Sequence, residues 1–230
     1  HSFGMNRVIH IQPNEYNQAV AVDDKPDGGN SSGQIMPLSN GYHIICDVKV
    51  QATQHAYCGI LLPLFNWGDD SVISTNDFEF LKLEFNYNAS SKDSLAVFLI
   101  HQKKIILENG QEHLQDVQFA HYLYPSQGHQ QVTIPLEQFA LPAWSAFKFY
   151  QQGKPFSRSL EQANLLQFLT GDSKESRQVS IKITSIRFTG KWISKNQLYA
   201  SIIVVWGVLL LLHLIAITHK ALTKLRQQNK

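Results

Sequence analysis

No βαβ rhythm, no metal-ligand cluster and no block of like charge occurs in these 230 residues, and each absence removes a class of function. Without strands alternating with helical repeats there is no basis for a nucleotide-binding α/β sheet. HExxH is absent and no nucleophile constellation stands out, so no catalytic residue is assigned. The ten histidines do not gather. His113, His121 and His129 fall at intervals of eight, unlike zinc-binding patterns, and no metal site is assigned. Lys and Arg total 20 against 18 Asp and Glu, and they are scattered, which excludes the basic stripe of a nucleic-acid-binding protein.

Only two cysteines are present, Cys46 and Cys58, in the apolar stretches HIICDVKV and AYCGILLP. A turn near residues 51–54 would set them opposite each other in a hairpin. They suit a disulfide in an oxidising compartment, and equally a pair of buried thiols.

What the sequence does have is one long uncharged run. Residues 198–218, LYASIIVVWGVLLLLHLIAIT, contain no Asp, Glu, Lys or Arg. As a helix rising 1.5 Å per residue they cover about 30 Å, the thickness of a bilayer hydrocarbon core. The run is apolar on every side rather than along one stripe, so a transmembrane helix is expected over 198–219. Tyr199, Trp192 and Lys220 are placed at the membrane interface. His213, inside the run, has no carboxylate partner nearby and is read as tolerated or bonded within a helix pair. After the run come Lys220, Lys224, Arg226 and Lys230 with no acidic residue, against Lys191 and Lys195 before it. The positive-inside rule then puts the C-terminus in the cytoplasm and residues 1–190 in the periplasm of a bacterial inner membrane. Export of such a domain calls for a signal peptide or first transmembrane helix upstream, or one already removed.

Residues 1–190 read as mainly β. Strands are expected over 7–12, 42–50, 55–65, 78–88, 94–102, 131–139 and 179–190, where β-branched and aromatic residues alternate between turn signals. Residues 13–40, with DDKPDGGNSSG, read as a long loop, and 66–70 (NWGDD) as another. In FEFLKLEFNYN the alternation slips at Phe80–Leu81, suggesting a bulge or a strand apolar on both faces. Residues 113–129 are too mixed to assign, residues 160–171 suit a short helix or a strand, and 141–159 read as loop. An antiparallel β-sandwich or jelly roll of eight to ten strands is expected, followed by the single span.

FEFLKLEFNYN followed by LAVFLI, then VTIPLEQFALPAW, then IKITSIRFTGKWISKNQLYASIIVVW together resemble the periplasmic jelly-roll sensor region of bacterial membrane signalling proteins, notably diguanylate cyclases with a GGDEF domain. Those sandwiches are similar to galactose-binding and carbohydrate-binding-module folds. The resemblance implies a sensor over 1–190, a short linker over 191–197, the span, and a basic segment over 220–230 leading to an output domain. No GG(D/E)EF motif is present, so that enzyme would lie beyond these residues. The linker holds no Gly or Pro and can continue as helix. The implied function is a ligand sensor relaying a signal inward as a homodimer, the alternative being a tethered carbohydrate-binding module without output. The span carries no GxxxG to fix a dimer face.

Sugar-binding sandwiches hold ligands on exposed aromatic faces with a few polar groups. Trp67, Trp144 and Tyr150, with Asp69 and Asp70 beside the first, are therefore the expected ligand residues, though the tryptophans equally suit the plugged end of a core. Asp23, Asp24 and Asp27 would be the ligands of a structural Ca²⁺, although DDKPDGG lacks a full ligand pattern; no other cofactor is expected. The anticipated partners are the lipid bilayer, a small molecule or glycan or periplasmic protein, and a second copy of the chain.

Overall fold

In the computed structural model the described residues are 6–11, 19–39, 41–51, 55–65, 72–74, 77–91, 93–106, 110, 112–146, 160–171, 174–191 and 195–228. They form two compact units, Asn6–Gly190 and Lys191–Lys230.

The first unit is an antiparallel β-sandwich with a jelly-roll fold. Its strands are β1 (Asn6–Ile11), β2 (Val20–Asp23), β3 (Ser32–Leu38), β4 (Gly41–Val48), β5 (Cys58–Pro63), β6 (Ile73–Ser74), β7 (Phe80–Ala89), β8 (Leu95–Ile106), β9 (Glu112–Leu123), β10 (Gly128–Pro135), β11 (Gln162–Ala163), β12 (Leu165–Thr170) and β13 (Arg177–Lys191). One sheet runs β10-β7-β13-β4-β3, with β1 also on β13; the facing sheet runs β2-β5-β12-β8-β9; β6 and β11 make a small third pair.

Alternation decides which side chains meet between the sheets. In β4 the inward set is Tyr42, Ile44, Cys46 and Val48, and in β7 it is Leu81, Leu83, Phe85 and Tyr87. The facing sheet contributes Cys58, Ile60 and Leu62 from β5, Val97 and Leu99 from β8, and Leu166 and Phe168 from β12. In β8 residues 95–100 are all buried, because a second apolar cluster, Ala96, Phe98, Ile100, Ala120 and Leu165, occupies the other face of the same sheet.

The slip at Phe80–Leu81 is not a bulge: β7 pairs β10 without interruption from Phe80 to Tyr87. Phe78 is buried ahead of the strand, edge-on to Phe188 with centroids 6.0 Å apart. The irregularity lies in β13, where pairing with β7 jumps from Ile183 to Ser185. Thr184 is the extra residue, and it lets Val179, Ile181 and Ile183 face the core together with Ile186 and Phe188.

Two further expectations are corrected, the loop over 13–40 and the hairpin at Cys46 and Cys58, and two open stretches, 113–129 and 160–171, prove to be strand. Residues 13–40 are not all loop, since β2 pairs with β5 and β3 with β4, and partners distant in sequence override the turn-rich composition. The unassigned 113–129 holds β9, a twelve-residue strand registered along the whole of β8. Residues 160–171 resolve to strand, with β12 between β5 and β8. Cys46 and Cys58 are joined by a disulfide. It does not cross a hairpin, because β4 and β5 belong to different sheets, so the bond ties one sheet to the other through the core.

The second unit is one helix, Lys195–Gln228. Its window Leu198–His219 has a mean hydropathy of 2.7 and none of it is buried, so it is long and apolar enough to cross a membrane. Tyr199 is exposed on it, and the Thr218 hydroxyl is satisfied by donation to the Leu214 and Ile215 carbonyls.

Candidate ligand groove

The outer face of the five-stranded sheet forms the floor of a groove of about 1380 Å³. Register places Val22, Gly59, Leu169, Ala96 and Tyr122 in one row across β2, β5, β12, β8 and β9. The next row runs Leu61, Gln167, Phe98, Ala120. Four inter-strand steps of about 4.8 Å make such a row roughly 19 Å long. Gln118 and Gln167 bring amides to an otherwise apolar floor.

Aromatic side chains stand along the walls. Tyr122 and Tyr124 come from the end of β9 and beyond it, and are 49% and 83% exposed. Trp144, 51% exposed, is carried by the segment that leaves β10. That segment is pinned to the edge of β9 by reciprocal backbone bonds between Ala120 and Ala140, at 2.8 and 3.0 Å, before a helical turn over 143–146. Phe139 is buried below, against the His121 ring.

Opposite them, His55 and Tyr57 stand just before β5, and Asp27 on the turn after β2. Asp24, 1% exposed, holds that turn: its carboxylate accepts the Ser31 amide and hydroxyl at 2.8 Å each, and its carbonyl accepts the amides of Asp27 and Gly29. Gly28 ends the turn at a φ of 86°, and a Cβ on Gly29 would sit 2.1 Å from the Asp24 carboxyl carbon. The turn thus presents Asp27, which accepts the Tyr57 hydroxyl at 2.6 Å. Burial, then the bond to Asp27 and the charges of Asp27, Asp24 and Asp23, push the Tyr57 phenol well above the ordinary tyrosine range.

The loop end of the groove is polar. Arg177 and Asp93 form an ion pair there with side chains 0% and 1% exposed. Arg177 also donates to the Gly171 and Glu175 carbonyls, and Asp93 accepts the Ser94 amide. Beside them the hydroxyls of Tyr87 and Ser91 are buried without a hydrogen-bond partner among the described residues. Burial, reinforced by Asp93 and opposed by Arg177, raises the Tyr87 phenol to about 12.

Of the expected ligand residues, Trp144 lies on the groove; Trp67, Asp69, Asp70 and Tyr150 lie outside the described residues, as does Trp192. Lys220 lies within the helix. Asp23, Asp24 and Asp27 do not converge: Asp23 pairs with Lys25, Asp24 with Ser31, and Asp27 with Tyr57. Among the described residues no three His, Cys, Asp or Glu gather as metal ligands, and His129 faces Glu84 at 3.7 Å away from His121.

Two matches to nucleophile spacings do occur, GNSSG at 29–33 and SAFK at 145–148. The first makes no site. Ser31 is buried before β3, donating to Asp24 and accepting the Lys49 amide, rather than exposed on a strand-to-helix elbow. Ser145 is 3% exposed, and Lys148 lies outside the described residues.

The groove residues that sequence reasoning missed are Tyr57, Tyr122, Tyr124, Gln118 and Gln167. The even-numbered run Gln118, Ala120, Tyr122, Tyr124 was the available signal, and it becomes readable only once β9 is recognised as a strand.

No protein-family model matches the sequence, and no curated protein matches it either. Solved structures are similar in fold. A family 11 carbohydrate-binding module from Clostridium thermocellum, in complex with a β-1,3-1,4-mixed-linked tetrasaccharide, is 14% identical, with a TM-score of 0.51 over 83% of this chain and 98% of that one. The CBM22-1 xylan-binding domain of Paenibacillus barcinonensis Xyn10C is 14% identical over 83% and 99%, with a TM-score of 0.37.

Proposed function

We propose that residues 6–190 are an extracytoplasmic module that binds a glycan chain in the groove, and that the C-terminal helix anchors it in a bilayer. The observation that carries this is the groove itself: Tyr122, Tyr124 and Trp144 exposed above a floor with two amides, in a volume of about 1380 Å³. Pockets for single small ligands run about 300–1,000 Å³, so this one suits several linked sugar rings. Aromatic faces stack on the apolar faces of pyranose rings while amides and carboxylates bond their hydroxyls. The family 11 likeness supports the fold on which such a groove is built. The Cys46–Cys58 disulfide supports an oxidising compartment for this unit, and the basic flank after the span supports a cytoplasmic C-terminus.

The same chain relays occupancy of the groove to a cytoplasmic output, on the resemblance noted above a diguanylate cyclase. The helix favours this over a passive tether, because it continues unbroken from the end of the apolar window at His219 to Gln228. Two copies side by side would carry the signal across.

The test is calorimetric titration of the full chain in detergent micelles with neutral tetrasaccharides, β-1,3-1,4-mixed-linked glucotetraose and xylotetraose among them. Binding that is lost in Tyr122→Ala, with the melting temperature held, is the expected result. No binding to any neutral tetrasaccharide, or binding indifferent to both Tyr122→Ala and Trp144→Ala, refutes the groove reading.

A further inference from the structure

Two hydroxyls at the loop end of the groove differ from everything around them. The Tyr87 and Ser91 oxygens are buried and have no hydrogen-bond partner among the described residues, although both residues line the groove. The other polar groups of this end are engaged. The Thr170 hydroxyl accepts the Cys58 amide, and Asp93 is paired with Arg177 and accepts the Ser94 amide. Gly171 donates its amide to the Ser94 carbonyl and accepts from Arg177. A buried hydroxyl left without a partner opposes folding, and a bound group that supplies the partner recovers the loss. The fold also limits what can reach the pair. Tyr87 belongs to β7, in the sheet opposite the groove floor, and its ring is 1% exposed within the core between the sheets. Ser94, Ala96 and Gly171 line the groove where β8 begins and β12 stops, and all three are small. A Cβ on Gly171 would stand 1.7 Å from the Ser94 Oγ, so this end is tightly closed around them. A slender group fits such a place better than a whole sugar ring does.

Resting on the groove reading above, we infer that Tyr87 and Ser91 form a subsite for the exocyclic hydroxymethyl group of a hexose, so that the groove prefers hexose chains to pentose chains. That group carries its hydroxyl on an arm of its own, one bond further from the ring than the other hydroxyls of a pyranose. Its oxygen accepts from one protein hydroxyl while its proton is donated to the other, which satisfies both. A pentose ring lying in the same place has only a hydrogen at that carbon and leaves both hydroxyls unpaired. Tyr122, Tyr124 and Trp144 offer their faces to either kind of ring, so they hold the chain without making this choice.

The experiment titrates the full chain in micelles with β-1,4-linked glucotetraose and with xylotetraose, which differ only in the hydroxymethyl groups. Wild-type protein is expected to bind glucotetraose about tenfold more tightly. Tyr87→Phe keeps the ring and removes the hydroxyl. It is expected to weaken glucotetraose binding about tenfold while xylotetraose binding stays within about threefold of wild type, the melting temperature being held. Ser91→Ala, on the turn after β7, is expected to narrow the same ratio, and it decides the matter where Tyr87→Phe fails to fold. If Tyr87 is only structural, its variant weakens both probes together; if the two hydroxyls hold only a resident water, the variant binds both as wild type does. Either result overturns the inference, as does equal wild-type affinity for the two probes. Equal affinity leaves the groove reading standing and removes only this subsite. If neither probe binds, the subsite is overturned, and the groove reading falls with it where no other neutral tetrasaccharide binds.

Discussion

Removing the Asp93 carboxylate is the sharpest stability test of the groove's loop end. The ion pair with Arg177 is sealed, with side-chain exposures of 1% and 0%. The guanidinium donates from Nε to Asp93 at 2.6 Å, from Nη2 to the Gly171 carbonyl at 2.7 Å and from Nη1 to the Glu175 carbonyl at 3.0 Å. In Asp93→Ala the guanidinium stays buried with carbonyl dipoles but no counter-charge, an arrangement that costs about 3–5 kcal/mol. For a unit of this size each kcal/mol moves the melting temperature by about 2–4 °C, so a fall of roughly 6–20 °C is expected. Near-UV circular dichroism of the full chain in micelles reads it. The double replacement Asp93→Leu with Arg177→Met removes charge and partner together, and is expected to recover most of the loss. The reasoning is refuted if Asp93→Ala melts within about 2 °C of wild type, or if the double variant melts as low as the single one.

Three further outcomes are expected. Because the Tyr87 phenol titrates near 12 when folded and near 10 when unfolded, the unfolded chain releases its proton first, and stability falls as pH rises from about 10 to about 12. That fall is on the order of 2–3 kcal/mol, and urea titrations at pH 9 and 11.5 should show it shrinking in Tyr87→Phe. Replacing Cys46 and Cys58 by serine opens a short closed loop, its ends 12 positions apart, and is expected to lower stability by about 3 kcal/mol as judged by the urea midpoint. Leu210→Arg, at the middle of the apolar helix, adds about 3 kcal/mol to membrane insertion, and should shift the protein from the membrane pellet toward the soluble or degraded fraction; unchanged fractionation would count against a spanning helix.

How much could be read from the residues depended on how locally each feature is encoded. Strands such as β7 and the two halves of β13 announce themselves, because Leu81, Leu83, Phe85, Tyr87 and Val179, Ile181, Ile183 alternate with polar residues. The apolar helix is more legible still, since its signal is carried by every side chain of one continuous run and needs no partner elsewhere in the chain. β2 and β3 were hidden by the turn residues between them, and β9 by the polar groove-facing positions Gln118 and Tyr122, which blur its alternation. The groove was legible only at Trp144. Its rows are assembled from five strands that lie far apart in the chain, and no spacing within one strand reveals which outward residues will share a face. The Cys46–Cys58 bond shows the same limit: the two residues were seen, but their relation across two sheets rather than along a hairpin belongs to the topology.

The bulge at Thr184 bears on which length changes this domain can survive. Beyond the bulge a single-residue deletion moves every later side chain to the opposite face, so loss of Arg187 would turn Phe188 outward. Loss of Thr184 does the reverse: Ile183, Ser185 and Ile186 then follow one another in unbroken alternation, with the same residues inward. The main adjustment falls on Gly41, where a Cβ would stand 2.0 Å from the Ile183 carbonyl oxygen, and on the Glu84 carbonyl that accepts the Thr184 hydroxyl. In a collection of one-residue deletions along this strand, positions 184 and 185 should therefore stand out as the permissive pair, since loss of either leaves one outward residue between Ile183 and Ile186, and natural variants of different length are expected to gain or lose a residue there.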